Sequence, residues 1–573
     1  MLTILVFWLA AFPATGKAVK IVDDVLLRQL SEKTAVSQAD IALYRQIFAA
    51  EKQGDFAKVD QLVSQLKSNA LMGHVLAEKY LHKKYKSSYR ELQLWLQKYF
   101  YLPQAERIRA LALTKAPDYK PVPPAATTKR IRAYYDWFKD RYDNLSEADR
   151  RYLRPRLDEF VLALRGSKFA KAEKMMQDKR LQKLLPVANY DGMAASLATA
   201  YFLEGNNRQA LLWSKQPVAR SKNVLAMWFG GLAAWKDKNY QLASDYFGRL
   251  GKSGNNDRSL VAAGAYWAYR SELQLGHAKA AQRYLHLAAA ERNTFYGLLA
   301  EYQLHGKLKR SWQPTAYYNN LKRKNACRKE LLALPVLRRA LLLLQVGEND
   351  LAEAELKQTY RRLNAKQKEL LLYVSEQYGL ANLSYVIASH LGIGSARTRL
   401  ENFMYPLPDW HPENGWQENP AWIWALIRQE SLFVPTVRSH AGACGLMQVM
   451  PATAAQVTEN KKLKTDPRPL LERGFNMRVG QSYVSYLRGS DYIGDNLFFL
   501  AAAYNGGPHN LQKWQSKIDY EGDPLLFVEQ IPWRETRLYA KKVLANYWLY
   551  RLRYGQSAQS LQQLSQGKWP LLD

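Results

Sequence analysis

From about Val19 to Leu391 the apolar positions recur at the three-to-four-residue spacing of amphipathic helices. No run there alternates apolar and polar residues as a half-buried strand would. One phrase repeats along this region: an apolar helix end, a turn residue, then a second helix bearing a small residue. It occurs at Gly54-Asp55-Phe56-Ala57, at Gly166 before Phe169 and Ala172, and at Gly205-Asn206 before Ala210. It recurs at Asn239-Tyr240 before Ala243, at Gly276 before Ala280 and at Gly347 before Ala352. The stretch Ala234 to Leu250, with Trp235, Tyr240, Ala243 and Phe247, is the most tetratricopeptide-like. A single hairpin of this kind cannot bury its own apolar face, so neighbours must stack into a solenoid. The irregular spacing predicts a degenerate superhelix rather than a regular array. Pro121-Val122-Pro123-Pro124 marks a loop, and Trp312-Gln313-Pro314 a break before a smaller helical linker domain. The Tyr and Leu stripes of that linker read as core.

A second pattern begins after Tyr405-Pro406-Leu407-Pro408, which with the residues to Glu418 forms a Pro-rich connection. Asn419 can cap a helix, Pro420 suits its first position, and Ile423, Leu426 and Ile427 share one face with Glu430. A turn-rich loop around Gly442 and Gly445 follows, then a helix opened by Pro451. Further helices are expected from Asn476 to Leu487 and from Asp495 to Asn505, the latter stopped by Gly506, Gly507 and Pro508. Pro532 opens the last long helix, with Glu535 in its first turn. The fold class is therefore all-α.

The chemistry concentrates at Glu430. A carboxyl at the end of an apolar stripe is poorly solvated, which penalises its charged form and raises its pKa towards that of a general acid. The structural alternative is a Glu reaching sideways into solvent. From Ser431 to Thr458 there is no Asp or Glu, so the partner carboxylate of a two-carboxylate glycosidase is not supplied nearby in sequence. Ser431 could orient the carboxyl group. Gln448 carries the donor and acceptor that sugar hydroxyls and acetamides require. Tyr504 and Asn505 fall at a helix end, where they could meet a ligand or serve as core plug and cap. Glu535 could simply complement a helix dipole.

Glu430-Ser431, Gly445-Leu446-Met447-Gln448, Ala503-Tyr504-Asn505 and Ile531-Pro532-Trp533-Arg534-Glu535-Thr536-Arg537 occur in that order. Together they resemble the motif set of the soluble lytic transglycosylases, bacterial enzymes with a lysozyme-like catalytic domain after a helical superhelix. Asn293-Thr294-Phe295-Tyr296-Gly297 is similar to a phrase near the end of that family's superhelical region. With the first 16 residues read as a signal peptide, the resemblance implies a superhelical domain at 17–314, a helical linker domain at 315–400 and a lysozyme-like catalytic domain at 401–573. It implies Glu430 as the sole catalytic acid/base. Ser439, Gln448, Met450, Thr453, Ala503, Tyr504 and Glu535 would line the glycan groove, with Ser431 and Asn505 completing their motifs. Trp533 stands where the family accepts several aromatic residues, and Cys444 matches no family role.

Composition narrows the setting. At 573 residues and 47% hydrophobic content, with 16 Trp, the chain can build several cores. The opening MLTILVFWLAAFPATG has the length of a signal peptide and is too short to span a bilayer, so an exported, soluble, periplasmic protein is expected. Two Cys, Cys327 and Cys444, exclude a disulfide framework and read as unrelated thiols. The nine His show no zinc-ligand spacing, and no phosphate-binding glycine loop appears. The formal charge of +31 favours a polyanionic partner. Its densest run, Lys322-Arg323-Lys324 with Arg328-Lys329, lies beside no nucleic-acid motif. Cell-wall peptidoglycan, whose stem peptides bear carboxylates, fits better than nucleic acid. The expected form is monomeric, without membrane anchoring, with cell-wall synthesis proteins as candidate protein partners.

The reaction implied by the resemblance is non-hydrolytic cleavage between N-acetylmuramic acid and N-acetylglucosamine, leaving 1,6-anhydro ends and needing no cofactor or metal. A hydrolytic lysozyme on the same fold, a non-catalytic wall-binding scaffold and a polyanion binder driven by charge are the rival readings.

Overall fold

The computed structural model describes residues 36–116, 145–310, 312, 334–391 and 400–573. The apolar leader, the Pro121–Pro124 loop, the basic run and Cys327 lie outside them. Among the described residues every regular element is helical. Extended pairing is limited to isolated bridges of Arg438 with Cys444, Cys444 with Val449 and Asn496 with Leu571. The all-α expectation holds.

The chain divides into two compact units. One joins the described residues up to 116 with 312 and 334–410; the other joins 145–310 with 411–573. In the first, helix Gln38–Gln53 places Tyr44, Ile47 and Phe48 in one core with Leu337, Leu341 and Leu344 of helix Pro335–Val346. The ion pair Lys52–Glu348 at 2.7 Å and the buried pair His74–Glu355 at 2.8 Å join the same segments.

All six predicted hairpins are present, and one local geometry explains them. Each first helix ends on a left-handed residue: Gly54, Ser167, Gly205, Lys238, Gly276 or Gly347. The next residue's N–H then bonds back across the last turn, for example Asn206 to Tyr201 O at 2.8 Å and His277 to Glu272 O at 2.9 Å. Asp55, Asn206 and Asn239 cap the second helix with their side chains. Five residues after the left-handed position comes the buried contact: Val59, Ala172, Ala210, Ala243, Ala281 and Ala352. Ala281 therefore replaces the expected Ala280. Val59 replaces the exposed Ala57, and Ser167 rather than Gly166 makes its turn.

In the second unit consecutive helices from Glu147–Arg165 to Phe295–His305 pack on one another in chain order, as a solenoid does. After Trp410 the chain builds a further group of packed helices. Asn419 caps helix Pro420–Glu430 by accepting from Ala421 N, with Pro420 at the first position as expected. Residues Ala421 through Ile427 are all buried, Trp422 and Trp424 included, so this helix is buried on every side rather than on one face. It and helix Leu497–Gly506 both pack on the long helix Arg534–Arg553.

Candidate active site

Helix Pro420–Glu430 ends because Leu432 and Phe433 both adopt left-handed backbone, with φ of 48° and 66°. For a leucine and a bulky aromatic this is strained geometry, here next to the one carboxyl at the helix end. Phe433 is fully buried and the Ser431 hydroxyl holds the turn, donating to Ile427 O at 3.1 Å and accepting from Phe433 N at 3.2 Å. Ser431 thus shapes the backbone behind the acid. The group on the carboxyl is Tyr539, whose hydroxyl donates to Glu430 Oε1 at 2.6 Å.

Glu430 is half-buried. Burial pushes its carboxyl up to about 7, the Tyr539 hydrogen bond pulls against this by favouring the anion, and the nearby charge of Glu535 pushes it up again. Glu535 is exposed in the first turn of Arg534–Arg553, and Tyr539 lies four residues on, on the same helix face. The hydroxyls of Tyr504 and Tyr539 are both held well above the usual phenol range by burial and by the Glu430 charge. Tyr483 packs 5.3 Å from Tyr504 and is pushed up to about 12, mainly by burial. The acid therefore faces neutral phenols and one exposed carboxylate.

The loop carrying Gln448 is built against this group. Gly445 has φ +78°, and a Cβ there would meet Leu470 O at 2.1 Å, so the position requires glycine. Asn476, fully buried, donates to Cys444 O and Leu470 O and accepts from Met447 N at 2.8 Å. Tyr504 donates its hydroxyl to Met447 O at 2.8 Å, tying helix Leu497–Gly506 to the loop. Gln448, itself left-handed at φ 47°, donates its side-chain amide to Val437 O and Gly445 O. The carbonyl oxygen is then the end it can present to a ligand, not the donor. Ser439 is exposed in the same loop, and its hydroxyl accepts from Ala443 N at 3.0 Å. Met450 is 40% exposed just before helix Pro451–Val457, in which Thr453 is half-buried. Ala503 is fully buried, and Asn505 accepts a hydrogen bond from Thr536 at 2.7 Å, so it braces two helices.

Glu430, Tyr504 and Glu535 thus come together, with Gln448 on the loop that Tyr504 holds. Tyr539, Tyr483 and Asn476 are additions that sequence reasoning missed. The i, i+4 relation of Glu535 and Tyr539 was the available signal for the first. Cys444 is buried and free, and its thiol lies 3.3 Å from Gly442 O. Among the described residues no group of three or more His, Cys, Asp or Glu could hold a metal ion, and no helix is long and apolar enough to cross a membrane.

Residues 411–524 match the family model described as the Transglycosylase SLT domain. The soluble lytic murein transglycosylase of Salmonella typhimurium is 41% identical over 134 residues, 23% of this chain and 20% of that protein. Its Escherichia coli K12 counterpart is 40% identical over 133 residues, with the same coverage. The matched stretch thus spans about a fifth of the length of these curated relatives. The crystal structure of the 70 kDa soluble lytic transglycosylase of Escherichia coli aligns over 90% of this chain and 97% of its own, with a TM-score of 0.51 and 19% identity. A 70 kDa soluble lytic transglycosylase in complex with bulgecin A covers 96% and 91%, with a TM-score of 0.54 and 18% identity. At such identity these two likenesses concern the fold. Residues 411–524 thus match a transglycosylase SLT domain, and the chain shares its helical fold with the 70 kDa soluble lytic transglycosylase.

Proposed function

We propose that this chain is a peptidoglycan lytic transglycosylase that uses Glu430 as its single acid/base. Neutral Glu430 gives its proton to the glycosidic oxygen between N-acetylmuramic acid and N-acetylglucosamine. As that bond breaks, the acetamide oxygen of the muramic residue meets the positive charge at the anomeric carbon. The Glu430 carboxylate then takes the proton of the muramic 6-hydroxyl. That oxygen bonds to the anomeric carbon, expels the acetamide and leaves a 1,6-anhydro end, with no water consumed.

The observation that carries this reading is the half-buried Glu430 carboxyl, pushed up to about 7 with Tyr539 Oη 2.6 Å away. One group must be a neutral acid in the first half of the cycle and an anionic base in the second. A carboxyl poised near neutrality, with a donor ready for its charged form, suits both. In this reading Ser439, Gln448, Met450, Thr453, Tyr504 and Glu535 line the groove, the buried Ala503 backs it beside Tyr504, Ser431 and Asn505 hold it in shape, and residues 401–573 form the catalytic part. The net charge of +31 suits a polymer whose stem peptides carry carboxylates, and the place of action is the periplasm.

A hydrolytic reading has one observation in its favour: Glu535 is an exposed carboxylate close enough for Glu430 to sense. A water held there would give a reducing end instead. Mass spectrometry of muropeptides released from sacculi decides between them, because the anhydro product is lighter by one water. Anhydro products from wild type and none from Glu430→Gln are expected; anhydro products from the variant would end the acid/base assignment.

A further inference from the structure

The long helix Arg534–Arg553 has two working faces. Glu535 and Tyr539 point to Glu430. Arg537 and Lys541, two residues further on in each case, are rotated by about 200° and point away from it. On that far face Lys541 Nζ bonds both oxygens of Glu529 at 2.6 and 2.8 Å. Tyr296 donates its hydroxyl to the same carboxylate at 2.6 Å and accepts from Trp267 Nε1 at 3.0 Å. Glu529 is 0% exposed and Lys541 9%. Trp267 and Tyr296 belong to the superhelix, in helices Arg258–Gln274 and Phe295–His305. The other charged groups that bear on this cluster are Arg537, Asp257 and Arg270.

Burying such an ion pair is a poor way to gain stability, because desolvation offsets most of the attraction. Aromatic contacts already attach the two parts: Phe295 stacks on Trp548 with ring centres 5.2 Å apart, and the Arg537 guanidinium lies over the Phe229 ring at 5.3 Å. Ring stacking tolerates sliding and rotation. A carboxylate taking three hydrogen bonds from two partners permits one register only. We propose that the cluster Tyr296–Glu529–Lys541 is a positioning device for the acid/base: the superhelix fixes the rotation of Arg534–Arg553, and with it the approach of Tyr539 and Glu535 to Glu430. The inference rests on the reading of Glu430 given above. It makes residues 258–305 a positioning part of the active site.

The test is Tyr296→Phe in the full chain, which deletes one hydroxyl and keeps the ring. Helix Arg534–Arg553 gains rotational freedom, Tyr539 loses its fixed approach to Glu430, and the carboxylate loses a donor. The groups facing Glu430 are then Glu535 on the same helix, Tyr504 on Leu497–Gly506 and, behind it, Tyr483 on Arg473–Arg488; none replaces that donor. The expected result is a loss of about tenfold in kcat with KM nearly unchanged, and a basic limb of the pH–rate curve displaced upward, as in Tyr539→Phe. A variant that loses thermal stability but keeps kcat and the limb of the wild type would overturn the proposal. If Tyr296→Phe does not fold, Trp267→Phe removes the donor one step further out and is read the same way. Infrared titration of the Glu430 carboxyl without substrate reports the same displacement. A shifted titration without anhydro-product formation would thus sink the enzyme reading alone, and an unshifted one would sink the positioning role alone.

Discussion

Removing the Tyr539 hydroxyl tests the electrostatics of the acid with the smallest change in shape. The O–H···O⁻ contact to Glu430 is 2.6 Å long, in the range of charge-assisted hydrogen bonds. Such a bond is worth about 1.5–3 kcal/mol net to the charged form. At 1.36 kcal/mol per pH unit, its loss moves the titration of the carboxyl up by about one to two units. The sign follows from the role: a general acid works while protonated, so activity falls as pH rises through its pKa. Tyr539→Phe should therefore carry the basic limb upward from near 7, where burial and Glu535 hold it against the tyrosine. The variant acid is also weaker, so kcat below the limb should fall. The assay is release of anhydro-muropeptides from sacculi between pH 5 and 9, buffered at constant ionic strength. Tyr504→Phe is the control, since its hydroxyl serves Met447 O and not the carboxyl; it should raise KM and leave the limb in place. A Tyr539→Phe limb that stays put or moves down would refute the reasoning.

Glu430→Gln should be more stable than wild type at high pH. The folded carboxyl titrates near 7 against 4.5 when unperturbed, so its contribution is fully present below 4.5 and lost as pH rises through 7. The gap should reach at most about 3 kcal/mol, and thermal melts of both proteins from pH 4 to 9 measure it; a gap that does not open between pH 4.5 and 7 contradicts the burial assigned to the acid. In the other unit Glu51 is buried with no hydrogen-bond partner on either oxygen among the described residues, and burial with the charges of Glu78 and Glu348 pushes it up to about 9. Glu51→Gln should likewise raise Tm, by an increment that keeps growing up to pH 9 and leaves kcat unchanged. A Cβ on Gly480 would lie 2.2 Å from Met447 Sδ, and Met447 is fully buried. Gly480→Ala should cost about 1–3 kcal/mol in denaturant melts and, by shifting the loop that Tyr504 holds, cut kcat/KM at temperatures where the protein remains folded.

Helix ends were the most legible part of the sequence, because their signals are local. Asn419-Pro420 and Pro451 open helices where expected, Asn496 caps Leu497–Gly506, and Pro508 starts the next helix after Gly507. The hairpins were legible for the same reason, but their buried contact sits five residues after the left-handed residue. Two of those residues are Ser167 and Lys238 rather than glycine. The expected contact held at Ala172, Ala210, Ala243 and Ala352 and slipped after Gly54 and Gly276, where Val59 and Ala281 are the buried residues. At the active site, Glu430 could be read from its place at the end of an apolar run. Its partner could not: Tyr539 lies 109 residues away and meets Glu430 only because two helices cross. Asn476 was hidden for a similar reason, since an asparagine in a helix announces nothing until the Gly445 loop folds over it. The two residues that complete their motifs, Ser431 and Asn505, also brace the backbone around the site. Ser431 holds a strained turn and Asn505 a helix pair, which is how a site keeps its geometry while its acid stays poised.

The most direct test of this account is the titration of Glu430 itself in the substrate-free protein, by infrared difference spectroscopy of wild type against Glu430→Gln from pH 4 to 9. The carboxyl band is predicted to persist to near neutrality and give way to carboxylate with a midpoint of about 7. A midpoint near 4.5, the value of an unperturbed glutamic acid, would mean that the side chain is an ordinary solvated anion and cannot be the acid.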